Sequence, residues 1–282
     1  MNNSIAYQTI YSTQIYLNSA NADLILNTTQ SDKSNVVFFF KDAIKIERNT
    51  IEMRLSVVDA QIPISWYLID SYNNQIKIIL NGVNTTYTFP PGNYNVNSFI
   101  TAWYSVVGDN TIWNVSFSST TNKFKFQSLT GTNFTFFDVN INSILGVIGF
   151  TPGVSSYTTN GTLYSVNCVN FGGINKVNIK TSTFTLKNID SKNKGRTRTI
   201  ASIPVNASQN GVIFYNNFTQ YKSIFNNHEL SQIGIEIQDD FKNYIKFNGV
   251  DWSLTLQIDI VCEVVNNVDS LEDIYFNLQQ EF

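Results

Sequence analysis

The sequence predicts an all-β protein: a single jelly-roll β-sandwich interrupted by a small inserted α+β domain, with an extended N-terminal arm and a C-terminal tail. Three observations lead there. Short segments in which apolar and polar residues alternate recur along the chain, separated by Asn, Gly, Asp and Pro. Apolar residues at helical spacing occur in one stretch of the middle: Val96, Phe99, Ile100, Trp103, Val106 and Val107. That stretch belongs to a module, Phe89 to Phe150, that divides the strand signals into two sets, which favours a sandwich of the jelly-roll type.

Residues 1 to 29 are polar, with Tyr7, Tyr11, Ile15, Tyr16 and Leu17 as isolated anchors, and read as an extended arm. Strand signals begin at Val36 to Phe40 and Ile44 to Ile46. In Ile51 to Val57 a period of two places Ile51, Met53, Leu55 and Val57 on one face. The run ends at Ile62-Pro63, where proline removes a ladder donor. After a turn at Asn73-Asn74, Gln75 to Leu80 and Thr85 to Phe89 form a hairpin leading into the module. Pro90 to Tyr94 then turn the chain into the helix. Ile112 to Ser118 and Lys123 to Ser128 pair across the polar loop Ser119 to Asn122, and Phe134 to Val139 adds a strand. A link rich in Gly, Ser, Thr and Tyr, Thr151 to Gly161, precedes the next strand at Lys176 to Ser182. The last third alternates most cleanly, at Ile233, Ile235 and Ile237 and from Trp252 to Cys262, with turns at Asp239-Asp240 and Asn248-Gly249. The acidic end, Val265 to Phe282, reads as a short helix or a tail. The division expected is an arm, 1–29; a discontinuous jelly-roll domain, 30–72 and 163–264; an inserted domain, 73–162; and a tail, 265–282.

Composition narrows the function. Charged residues make up 14% of the chain, below the usual quarter, while 38 of its 282 residues are asparagine. The exposed surface is therefore largely amide and hydroxyl, which is buried against neighbours at less desolvation cost than charge. The codon bias of an AT-rich genome produces the same enrichment. A formal net charge of -3 gives no reason to expect nucleic acid binding. No apolar run approaches a membrane span, and the first thirty residues lack a basic start followed by an apolar stretch, so a soluble, non-secreted chain is expected. Cys168 and Cys262 fit a reducing compartment without a disulfide framework, and both are expected as small core residues.

Catalytic constellations are sparse, and no enzymatic activity, cofactor or metal is expected. His228 is the only histidine and sits in a polar Asn226-Asn227-His228-Glu229 segment that reads as a loop. Adjacent Asp239 and Asp240 diverge on a turn and make a poor paired-acid site. Gly172-Gly173 lacks the lysine and the setting of a phosphate loop and reads as a turn or bulge. The basic run Lys187, Lys192, Lys194, Arg196 and Arg198 is the one local charge anomaly. It reads either as a solvated loop or as a docking site for an acidic neighbour, the acidic tail of another copy included, or for an anionic lipid or genome surface. Tyr94, Trp103, Tyr104 and Trp113 cluster in the inserted module. A small core explains them better than a sugar-stacking platform, and exposure of the rings discriminates the two.

Several segments taken together resemble a known family. They are Ile15-Tyr16-Leu17-Asn18-Ser19 with Asp23, Ile51 to Leu55 leading to Ile62-Pro63-Ile64-Ser65-Trp66-Tyr67, Pro91-Gly92-Asn93-Tyr94-Asn95, Leu145-Gly146 with Gly149-Phe150, Ile203-Pro204-Val205, and Ile245 to Leu256. In order and spacing these are similar to the penton and minor capsid proteins of virophages, Polinton-like viruses and nucleocytoplasmic large DNA viruses. The family ends its insertion in Leu-Gly-Phe, stretched here to Leu145-Gly146-Val147-Ile148-Gly149-Phe150. The resemblance implies an upright single jelly roll at a capsid vertex with an insertion domain as its head. Five copies would close a ring beside trimers of a hexon-like major capsid protein, within a virion assembled in the host cytoplasm. Internal minor capsid proteins or a membrane are further expected partners. The residues expected to carry assembly are Tyr7, Tyr11 and Tyr16 in the arm, Lys192, Lys194, Arg196 and Arg198 in the basic loop, and Asp269, Glu272 and Asp273 in the tail. A cement protein of the same fold and a carbohydrate-binding attachment protein are the alternatives.

Overall fold

The computed structural model describes residues 6–29, 32–45, 50–137, 143–190, 194–225 and 229–265. The chain divides into two compact units, residues 1–66 with 175–282 and residues 67–174. The first unit contains β1 (Ala6–Asn18), β2 (Leu24–Ile25), β3 (Asn35–Lys45) and β4 (Thr50–Pro63). The second contains β5 (Gln75–Leu80), β6 (Val83–Thr88), α1 (Val96–Val106), β7 (Trp113–Ser118), β8 (Lys123–Ser128), β9 (Phe134–Phe137), β10 (Ser156–Tyr157) and β11 (Thr162–Tyr164). The chain then returns to the first unit with β12 (Lys176–Thr181), β13 (Ile189–Asp190), β14 (Gly195–Arg196), β15 (Thr199–Pro204), β16 (Val212–Asn216), β17 (Ser223–Phe225), β18 (Glu229–Gln238) and β19 (Ser253–Val265).

Strand order defines the first unit. One sheet runs β1-β19-β4-β16, with β17 also on β4, and the other runs β15-β12-β18-β3-β2. All of these pairs are antiparallel. The principal strands, counted along the chain, are β1, β3, β4, β12, β15, β16 with β17, β18 and β19. The sheets are then 1-8-3-6 and 2-7-4-5, the eight-stranded, double Greek-key order of a jelly roll. The second unit is spliced between the third and fourth of these strands.

Period-two patterning builds the sandwich core. Met53, Leu55 and Val57 of β4, Ile233, Ile235 and Ile237 of β18, and Leu254, Leu256 and Ile258 of β19 are buried. Trp252 meets Phe38 edge-on, with centroids 6.4 Å apart. Ile51, expected on the same inward face, is 50% exposed because it lies at the start of β4, beyond the packed centre. β18 is covered on both faces, since Glu236 and Gln238 on its outer side are buried as well. Crossing chain explains part of this: Gly234 N–H donates to Thr183 Oγ1 at 2.8 Å, and a Cβ on Gly234 would fall 1.9 Å from Ser182 Oγ.

The N-terminal segment corrects an expectation. It is extended, but residues Ala6–Asn18 do not stand off as an arm. They pair residue for residue with β19, from Ala6 opposite Val265 to Asn18 opposite Ser253, as the edge strand of the first sheet. Cys262 is buried, whereas Cys168 is exposed rather than a core residue.

The second unit has its own core between a β10-β9-β5-β6 sheet, a β11-β8-β7 sheet and α1. The segment read as a link, Thr151 to Gly161, carries β10 of this unit. Asn95 caps α1 by accepting from Ser98 N–H while Ser98 Oγ accepts from Asn95 N–H, a reciprocal capping box. Phe99 and Trp103 point inward and are fully buried. The stretched Leu145 to Phe150 segment makes a 3-10 turn over Ile144–Gly146, closed by Phe150 N–H donating to Leu145 O. Gly149, at φ 88°, is required there because a Cβ would lie 2.4 Å from Asn167 O.

Candidate assembly surfaces

β1 forms one rim of the first sheet. Its thirteen residues contain no charge and no proline, and its register with β19 is unbroken by a bulge. Natural edge strands are ordinarily blunted by such features. Among the described residues no strand pairs with its free edge. Ser12 shares the outer face with Asp259, so Ile10, Gln14 and Tyr16 point the same way, and Tyr16 is 76% exposed. Tyr11 is exposed; Tyr7 lies opposite Val264 on the same strand.

The opposite rim is β16 with β17. Phe214 is 70% exposed on β16, and Phe218 and Tyr221 are exposed on the loop that follows. Asn217 organises that loop, its Oδ1 accepting from Tyr221 N–H and its Nδ2 donating to Tyr221 O. Sequence reading missed Phe214. Val212-Ile213-Phe214-Tyr215 shows no polar alternation, and only its position at a rim leaves the outward ring uncovered.

Between the rims, Asp259 sits on the outer face with its side chain 1% exposed. Ser12 Oγ donates to its Oδ1 at 2.7 Å and Gln257 Nε2 at 2.8 Å, and Lys222 Nζ pairs with Oδ2. Burial raises its pKa, but these hydrogen bonds and the Lys222 charge outweigh burial and hold the carboxyl below the usual aspartate range. The network ties β1, β19 and the β16–β17 loop together.

The basic loop forms a short hairpin, with Ile189 opposite Arg196 and Asp190 opposite Gly195. It borders the β17 rim: Lys187 N–H donates to Ile224 O at 2.8 Å, and Leu186 bridges Phe225. Lys194 takes φ 51° beside the turn. Arg198 points elsewhere, to Glu236 at 3.8 Å. A polar cleft of about 670 Å³ lies alongside, lined by Lys176, Lys180, Asn188, Tyr215 and Tyr221 among others. Lys192, Asp269, Glu272 and Asp273 lie outside the described residues, as does His228.

The remaining candidates resolve into structural roles. Asp239 Oδ1 accepts from Phe241 and Asn243 N–H, both at 2.8 Å, which folds the 239–243 turn. Asp240 pairs with Lys176 at 3.5 Å. Trp103 and Trp113 are buried, so they offer no sugar-stacking face, and the part-buried Tyr94 donates to Pro90 O and packs edge-on against Phe99. Among the described residues, no group of three or more His, Cys, Asp or Glu could hold a metal, and no helix is long and apolar enough to cross a membrane.

No protein-family model matches the chain, and no curated protein matches it. Among solved structures, the crystal structure of selenomethionine-labelled mavirus penton protein is similar at a TM-score of 0.43 and 12% identity, over 89% of this chain and 99% of that one. A likeness that loose carries no argument. The class defined by strand order stands by itself: a jelly-roll β-sandwich with a separately cored unit spliced between its third and fourth strands.

Proposed function

We propose that this chain is a structural capsid protein, a penton whose copies close five-membered rings at the vertices of an icosahedral virion and dock against trimers of a hexon-like major capsid protein. The observation that carries the reading is the jelly-roll body in which one sheet ends on one side in the uncharged thirteen-residue strand β1 and on the other in the short strands β16 and β17 with exposed aromatic rings. A jelly roll buries the inner face of each sheet against the other but leaves its rims for neighbours, and a contact between two different rims repeats by rotation into a ring. The inserted unit, with its own core, serves as the head. The order of motifs from Ile15 to Leu256 that resembles virophage-type pentons supports the same role. Each ring contact should bury more than about 1,000 Å² in total to be specific.

Native mass spectrometry and sedimentation of the purified chain test this. A pentamer is expected; a strictly monomeric or trimeric species at high concentration refutes it. Averaged images of the particle should place the chain at five-fold vertices, and density for it between hexons alone would identify a cement protein instead.

A further inference from the structure

Resting on the ring reading above, we infer which two rims meet: the β1 rim of one copy pairs with the β16–β17 rim of the next copy, continuing one antiparallel sheet from subunit to subunit. Two features lead to this. The first is strand sense. β1 is antiparallel to β19, β19 to β4 and β4 to β16, so the two rims of this sheet run in opposite directions. Rotating a copy about an axis along the strands therefore brings β16 and the next β1 together antiparallel, the pairing that needs no crossover.

The second feature is height. A closed ring has no rise along its axis, so contacting residues must lie at equal heights. With the strands along the ring axis, register across the sheet gives those heights. Asn18 lies opposite Ser253, Ser253 opposite Gln61 and Gln61 opposite Phe214. Tyr16, Thr255, Asp59 and Asn216 form the adjacent row. All eight side chains are on the outer face, because residues directly opposite share a face. The most exposed large apolar side chain described on each of the two strands, Tyr16 at 76% and Phe214 at 70%, thus becomes a diagonal cross-strand aromatic pair between copies.

Variants of the full chain, measured by native mass spectrometry across a dilution series, test the pairing. Tyr16→Lys and Phe214→Lys should each raise the concentration at which the pentamer dissociates by about tenfold or more, while the exposed sites leave the thermal midpoint unchanged. Tyr16→Lys combined with Phe214→Glu should restore most of the loss. In a Cys168→Ser background, Tyr16→Cys with Asn216→Cys should give disulfide-linked ladders ending at five chains. A pentamer indifferent to these changes, or a double variant without recovery, overturns the rim assignment and leaves the ring standing. A two-fold dimer cross-linked through Tyr16→Cys alone overturns the assignment in favour of β1–β1 pairing. A chain that never forms pentamers overturns both.

Discussion

Replacing Lys222 by Met isolates Asp259, a buried charge on the outer face of the first sheet. Asp259 would keep its hydrogen bonds from Ser12 and Gln257 but lose the ammonium at Oδ2. Stripping one partner from a fully buried ion pair costs about 3–5 kcal/mol. Here two donors remain, and the cover is a single layer of side chains over a sheet, so about 2 kcal/mol is expected at pH 7, the scale of one hydrogen bond to a charged group. The pH dependence has a definite sign. Burial raises the Asp259 pKa, and the hydrogen bonds and Lys222 charge together lower it by more. A carboxyl depressed in the folded state adds stability above its unfolded pKa, and that contribution disappears as pH falls through the folded value. Without Lys222 two of the lowering influences, its hydrogen bond and its charge, are gone and the carboxyl moves upward. The gap between wild type and Lys222→Met should then be full at pH 7 and shrink as pH falls below the ordinary aspartate range near about 4. Urea denaturation of wild type, Lys222→Met, Asp259→Asn and the double variant at neutral and acidic pH measures it. A gap at pH 7 below about 0.5 kcal/mol, the level of an exposed pair, or one that does not change with pH, refutes the reasoning.

Gly234→Ala should destabilise the body by about 1–3 kcal/mol through overlap with Ser182, and Ser182→Gly should recover part of that in a thermal-melt comparison. Trp103→Ala should cost about 3–5 kcal/mol, because this ring packs on Trp113, Phe126 and Phe136. Trp103→Phe should cost much less than that, since the buried indole N–H has no hydrogen-bond partner to lose; equal losses in denaturant would contradict this. Asn95→Ala should destabilise the second unit by about 1 kcal/mol, and hydrogen exchange should show the loss first in the opening turn of α1.

Legibility in the sequence followed burial geometry. β18 and β19 were legible because they lie inside their sheets, where Ile233, Ile235 and Ile237, or Leu254, Leu256 and Ile258, must all meet the core. α1 was legible because Phe99 and Trp103 share one face and a capping box starts it. The Asn81-Gly82 turn between β5 and β6, at φ 53° and 74°, was a readable signal that passed unread, since Asn-Gly supplies both left-handed positions of a tight hairpin. The position of Gly234 could not be read, as the need for it comes from Ser182, fifty-two residues away in the chain.

The two rims escaped for a common reason that bears on function. An edge strand faces the thin margin of the core, so little of it need be apolar; on β1 that is Leu17, with Ile15 part-buried. With both faces polar, β1 shows no period and reads as an arm. β16 fails the same test from the other side, being apolar on the face that the isolated chain leaves open. Period-two patterning registers burial within one copy, whereas both rims are composed as though something else lies against them. One rim is polar but uncharged and the other aromatic, with opposite strand sense and matching heights. Opposite sense follows from four antiparallel strands and permits pairing between copies; it is the uncharged edge on one side and the uncovered aromatic rings on the other that favour it.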